Sequence, residues 1–330
     1  MNSAIVHQIP IMLFMLLALL RLTVVGGAET FASIPIGKDI FGETVELPLV
    51  GAGTWQYNDT IAYQSLCKAF DAGYRLVDTA YGYRNQKGVG MAIKDCWHGN
   101  RKDLFVLTKI PGGLSREEVL AAHQQNLWEL QLDYVDHVMT HFPSDWDESP
   151  DRATSVRRQE TWLALEEIYF RGQARSIGVS HYCESHIDDV LDVATIMPSL
   201  NQVEYHVGSG DVDSVIRKCR AFNITFMSFS PLCGPCQLDS PDDSLIHGKL
   251  VSEIAQNYPG KMGSQVALRF IVQQALVDGS YIGGVIPKSN NLDHIRSNMN
   301  IFDFSLSDED MDRLKAANKP SAEGGDCEVL

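Results

Sequence analysis

Basic residues are scarce: 27 Lys and Arg stand against 42 Asp and Glu, a formal net charge of −15. Such a chain repels phosphate backbones and anionic headgroups, so nucleic acid and an anionic membrane surface are not expected partners. The acidity is read as serving solubility. The apolar run IPIMLFMLLALL, Ile9 to Leu20, falls short of the roughly 20 residues a membrane span needs. No G-x-G-x-x-G follows a strand-like run, and GAGTW at Gly51 has only its first part, which argues against an open dinucleotide-binding sheet. The seven cysteines are odd in number and scattered along 330 residues, so they do not read as a disulfide scaffold. No stretch resembles an interdomain linker.

What is present begins with that apolar run. Its length suits a signal-peptide core, and Gly26 and Ala28 offer a small-residue cleavage site before Glu29. The preceding MNSAIVHQ has no Lys or Arg, and Val24 and Val25 carry the apolar character beyond Arg21, so an uncleaved signal anchor is the alternative. Residues 1–28 are therefore expected to direct the chain to the secretory pathway or the extracellular space, or to hold it at a membrane. Two sequons, Asn58-Asp-Thr60 and Asn223-Ile-Thr225, would be open to glycosylation in an exported chain. The terminal CEVL has the form of a prenylation signal, but an acidic residue follows Cys327 and no basic cluster precedes it; coincidence is the better reading.

After Glu29, short runs rich in β-branched residues alternate with longer amphipathic segments. The runs are LVGAG, LVDTA, LFVLTKI, VDHVMTHF, RSIGVS, SLNQVEY, TFMSFSPL and YIGGVIPKS. Between them lie helical patterns such as SREEVLAAHQQNLWELQL and RRQETWLALEEIYFRG, where Trp162, Leu165, Ile168 and Tyr169 form a core-facing stripe. Eight such units predict an α/β fold of one domain over residues 29–330, a (β/α)8 TIM barrel. The segment IPIGKDIFGETVELPL, with Gly37 and Gly42 near its turns, predicts an N-terminal β-hairpin capping the barrel floor.

Ionisable residues close successive runs: Asp78 the second, Lys109 the third, His141 the fourth, with Tyr83 five residues past Asp78. In a parallel barrel all strand ends share one face, where active sites are built. A buried carboxylate at a strand end needs a cation, and Lys109 is the nearest candidate. In that arrangement Lys109 would lower the Tyr83 pKa, Tyr83 would donate a proton to a carbonyl oxygen, and His141 would orient that oxygen. A structural ion pair with a rim histidine is the blander alternative, and four groups at successive strand ends favour the functional one.

These residues resemble the aldo-keto reductases, NAD(P)H-dependent barrel enzymes. GYRLVDTA with Gln86 and Gly90 matches the family's aspartate signature, VLTKI supplies its lysine and MTHFP its histidine. The resemblance implies a catalytic tetrad of Asp78, Tyr83, Lys109 and His141. It implies cofactor contacts from Thr54 and Trp55 in GTWQY, from Asp78, from Ser180 and His181 in GVSHY, and from Gln202 in NQVEYH. Phe229, Ser230 and Leu232 in SFSPL, and Lys288, Ser289, His294 and Asn298 in VIPKSNNLDHIRSN, complete the set. The chain departs from the pattern at His181, where asparagine is usual, at Phe229 for tyrosine, at His294 for arginine and at Ser297 for glutamate. Lys288 and Ser289 suit a 2′-phosphate, so NADPH is the expected cofactor, with NADH possible. Trp55, Tyr83, His141 and Phe142 are expected to meet a small-molecule carbonyl substrate. Pro111 stands where relatives often carry an aromatic, which would open the pocket.

The motif CGPC, Cys233 to Cys236, matches a thioredoxin-type pair without the surrounding βαβ context, which argues against a thiol oxidoreductase. It is read as two unlinked cysteines; the sharper alternative is a reversible Cys233–Cys236 disulfide in a loop that the resemblance places over the cofactor. A monomer is expected. The competing function is a catalytically idle NADPH-binding barrel acting as an accessory or structural subunit, which would not require all four tetrad groups.

Overall fold

Two antiparallel strands, β1 (Ser33–Lys38) and β2 (Thr44–Pro48), open the fold as a hairpin, with Ile34 opposite Leu47. Its turn is closed by Asp39, whose Oδ1 accepts from the backbone N–H groups of Phe41 and Glu43 at 3.0 Å. Gly42 there has φ +81°, a conformation that favours glycine. The computed structural model describes residues 32–144, 154–209, 213–233, 244–277 and 282–317. The proposed leader at 1–28, Cys236 and the terminal CEVL lie outside the described residues.

Eight parallel strands follow, each paired with the next: β3 (Ala52–Gly53), β4 (Leu76–Asp78), β5 (Phe105–Ile110), β6 (Val135–Thr140), β7 (Ala174–Ser180), β8 (Leu200–Glu204), β9 (Thr225–Phe229) and β10 (Ile282–Val285). All eight runs expected from the sequence are strands. A parallel bridge between Val50 and Val285 joins the last strand to the first, with Gly51 N–H donating to the Val285 carbonyl at 2.8 Å. The sheet therefore closes into a (β/α)8 barrel.

Strand alternation divides the core in two. Leu76, Phe105, Leu107, Met139, Leu200, Met227 and Ile286 form the inner cluster, and the hairpin residues Ile36, Val45 and Leu47 join them to plug the floor. Val77, Val106, Ile110 and Val138 belong to the outer cluster with the helices, including Trp162, Leu165 and Ile168 of α4 (Ser155–Phe170). Parity then dictates the site. Asp78, Lys109 and His141 follow Leu76, Leu107 and Met139 at two-residue spacing, so they share the inward face one layer above the packed interior.

Helices α1 (Asp59–Asp71), α2 (Gln86–Cys96) and α3 (Arg116–Leu130) flank the strands that carry this layer. Gly90 lets α2 approach closely: a Cβ there would lie 2.6 Å from the Leu130 carbonyl. The start of α3 is a capping box, with Ser115 and Glu118 each accepting from the other's backbone N–H. Cys67 of α1 and Cys96 of α2 form a disulfide with Cα atoms 5.2 Å apart. The scattered cysteines had given no sign of this pairing, because only tertiary packing brings the two helices together. Among the described residues, no helix is long and apolar enough to cross a membrane.

Candidate active site

Asp78 is buried at the end of β4, where its carboxylate meets Lys109 from β5. Lys109 Nζ donates to both Asp78 oxygens at 2.7 Å and to the Thr79 carbonyl at 3.3 Å. The same ammonium reaches the Tyr83 hydroxyl at 3.2 Å. A second donor comes from the far side of the barrel: Gln202 Nε2 on β8 lies 2.9 Å from Asp78 Oδ2. Every oxygen of the carboxylate therefore has a donor, which is what lets a charge sit this deep.

Tyr83 is held by a short 3₁₀ turn, Tyr81–Tyr83, that ends in a left-handed Arg84. Asn85, fully buried just beyond, fixes that turn against the preceding βα loop by donating to the carbonyls of Thr54 and Tyr57 at 2.7 and 2.9 Å. The sequence reading passed over Asn85, although it lies inside the aspartate signature; its signal was a polar residue between Tyr83 and the buried start of α2. His141 stands 5.4 Å from the Tyr83 ring, centroid to centroid, at an edge-to-face angle.

The sequence reading expected Lys109 to lower the Tyr83 pKa. The structure reverses that: burial, and secondarily the nearby Asp78 carboxylate, hold the phenol well above its ordinary value. Asp78 offsets the ammonium's field. Burial also draws Lys109 below its ordinary value, opposed by Asp78. His141 lies well below its ordinary value through burial, Lys109 and His181, and is a neutral imidazole. The group is thus a protonated phenol with a cation at its oxygen and a neutral histidine beside it.

Above these residues opens a cavity of about 430 Å³. One wall is an aromatic file: His141 stacks on Phe142 at 4.5 Å, Phe142 on His181 at 4.5 Å, and His181 tilts against Phe229 at 4.7 Å. Burial depresses His181 to about 3, so it too is neutral. Its φ of +60° is the left-handed conformation. Trp55, Ser230, Leu232 and Lys288 also border the cavity, whereas Pro111 does not.

Over residues 49–319 the chain matches the model of the aldo/keto reductase family. The chain belongs to the aldo/keto reductase family. It is 34% identical over 288 residues to a glyoxal reductase of Bacillus subtilis (strain 168), covering 87% of this chain and 94% of that protein. It is 32% identical over 291 residues to aldo-keto reductase family 1 member A1 of Gallus gallus, covering 83% and 86%. Among solved structures it superposes on an aldo/keto reductase from Brucella melitensis with a TM-score of 0.74 at 28% identity, over 89% of this chain and 100% of the other. An aldose reductase from Schistosoma japonicum gives 0.73 at 27% identity, over 88% and 94%. As an aldo/keto reductase, the chain is an oxidoreductase of carbonyl compounds.

The remaining expected cofactor residues of this reductase separate by position. Thr54 Oγ1 donates to the Asp78 carbonyl at 2.9 Å and Ser180 Oγ to the Gln202 carbonyl at 2.7 Å; neither borders the cavity. Ser289 and Asn298 line a separate small cleft with Tyr74 and Ile295, which shares Gly53 and Pro287 with the wall of the main cavity. His294 is exposed on the helix Leu292–Met299, where its backbone N–H donates to Asn291 Oδ1 at 3.3 Å. Lys288 Nζ donates to Gln56 Oε1 at 2.8 Å and lies over the Tyr57 ring at 5.3 Å, so Gln56, which the sequence reading did not single out, spans the rim. Of the CGPC pair, Cys233 is disulfide-bonded, as is Cys183 at the start of α5 (Glu184–Leu191). The reading of Cys233 as an unlinked thiol is therefore corrected.

Proposed function

We propose that this reductase converts aldehydes or ketones to alcohols with NADPH in preference to NADH, and that Tyr83 gives the proton. The observation that carries the reading is the Lys109 ammonium, bound to Asp78 at 2.7 Å on one side and 3.2 Å from the Tyr83 hydroxyl on the other. The residues fit a nicotinamide nucleotide. Phe229 offers an aromatic face beside the tetrad, and Lys288 offers a partly desolvated cation bonded to a neutral amide, suited to a phosphate.

When bound, the nucleotide supplies a hydride to the carbonyl carbon. The chain does the rest. Neutral His141 donates a hydrogen bond that orients the carbonyl oxygen, Tyr83 transfers its proton to that oxygen, and Lys109 stabilises the phenolate as it forms. Because the phenol is held well above its ordinary value, it is fully loaded before each turnover. Solvent reprotonates it afterwards.

Loss of reduced-nicotinamide absorbance across a panel of aldehydes, ketones and sugars tests the proposal. Tyr83→Phe should lower turnover by about 10²–10⁴-fold while leaving nucleotide affinity nearly unchanged. Full activity in that variant would remove Tyr83 as the donor; no turnover by the unaltered chain on any carbonyl would leave the idle-barrel reading.

A further inference from the structure

Helix α1 begins at an exposed asparagine. Asn58 is its N-cap, and Asn58 Oδ1 accepts from the Ile61 N–H at 2.9 Å. The cap uses the oxygen alone. Asn58 Nδ2 makes no hydrogen bond within the described residues, and Thr60, two positions on, is exposed as well. The triplet is Asn-Asp-Thr, an acceptor sequence for N-linked oligosaccharide whose central residue is not proline.

A sequon has meaning only in a compartment where glycosylation occurs, and an independent feature on the same helix points there. Cys67 of α1 is bonded to Cys96 of α2, and Cys183 and Cys233 are disulfide-bonded too. Disulfides of this kind persist in secretory and extracellular compartments and are rare in reducing cytosol. The apolar segment Ile9 to Leu20 has the length of an export signal. Three unrelated features, a leader, disulfides and an exposed sequon, call for the same compartment.

We propose that Asn58 is N-glycosylated in the secretory pathway, carrying its glycan at the rim of the catalytic cavity. The donor class is a lipid-linked glycosyl diphosphate. The bond between the sugar's C1 and the diphosphate oxygen breaks, a C1–Nδ2 bond forms, the amide nitrogen loses one proton, and lipid diphosphate leaves. Because only Nδ2 is substituted, Oδ1 goes on capping α1 and the fold is undisturbed. The nearby residues Trp55 and Gln56 border the cavity, so the glycan stands beside its entrance.

The test is expression of the full chain, with its own N-terminus, in eukaryotic cells. Treatment with a peptide-N-glycosidase in oxygen-18 water should convert Asn58 to labelled aspartate, read by peptide mass. Asn58→Asp keeps a capping oxygen and so folds, yet should lack one discrete mobility step; Thr60→Ala should lack the same step, and Thr60→Ser should retain it. Recovery of folded protein with Asn58 unmodified, or with Cys67 and Cys96 as free thiols in the cytosol, would overturn the proposal. Carbonyl reductase activity is not used as the readout, so the outcome is independent of the assignment of Tyr83.

Discussion

Gln202 Nε2 donates to Asp78 Oδ2 at 2.9 Å, joining two residues 124 positions apart across the barrel. The contact gives Gln202 a task distinct from the cofactor role its motif implies: it is a positioning residue for the carboxylate that holds Lys109. Removing it leaves a buried charge with one donor fewer. Gln202→Ala should cost about 1.5–3 kcal/mol of stability, the range for hydrogen bonds to charged groups, and should lower kcat as Lys109 gains freedom beside Tyr83. Urea unfolding with steady-state kinetics checks both; unchanged stability would show the contact to be incidental.

Asp78→Asn probes the pair itself. The substitution keeps the side chain's shape but leaves a buried ammonium facing an amide, for which about 3–5 kcal/mol of destabilisation is expected. Asp78→Leu combined with Lys109→Met removes both charges and should be more stable than Asp78→Asn, though inactive. Calorimetric or urea unfolding of the two variants separates the energy of pairing from the energy of burying charge. Equal stability would mean Lys109 loses its proton when Asp78 is neutralised.

The barrel was legible because its strands are local events: each β-branched run carries its own alternation, and parity alone put Asp78, Lys109 and His141 on one face. What depends on distant approach was not legible. Cys67 and Cys96 meet only after α1 and α2 pack, and nothing in their spacing distinguished them from five other cysteines. The Tyr83 pKa went the other way because proximity of a cation could be read from the motif while the desolvation of the phenol could not. Asn85 was missed because its two backbone acceptors lie in a different loop.

Lys288 carries the expectation about the nucleotide. Its ammonium, lowered in pKa by burial, bonds to Gln56 and to no carboxylate among the described residues, so an anionic group could engage it without breaking an ion pair. Lys288→Met should weaken NADPH binding by about 10–100-fold, the equivalent of one charge-assisted hydrogen bond, and NADH binding far less. Fluorescence titration of both nucleotides checks the ratio. Equal losses would move the phosphate contact elsewhere, toward Ser289 and Asn298.

Buried histidines set the acid limit of the fold. His123 is depressed to about 4 and His137 to about 3, each chiefly by burial. His137 illustrates why: its Nδ1 is 2.7 Å from Ser176 Oγ, which itself donates to the Asp136 carbonyl, so Nδ1 carries the proton and Nε2 is left buried without a partner among the described residues. Unfolding frees these rings to titrate near their ordinary value of 6.5, so below that pH the unfolded chain binds more protons than the folded one. Stability is therefore complete above about pH 6.5 and is lost as pH falls toward 3, each ring contributing up to about 1.4 kcal/mol per pH unit within that window. Urea unfolding at a series of pH values should show this slope beginning near 6.5, above the range where carboxylates titrate. His137→Gln should flatten it by one ring's share, and a flat profile between pH 6.5 and 5 would mean that these rings take up protons without unfolding the barrel.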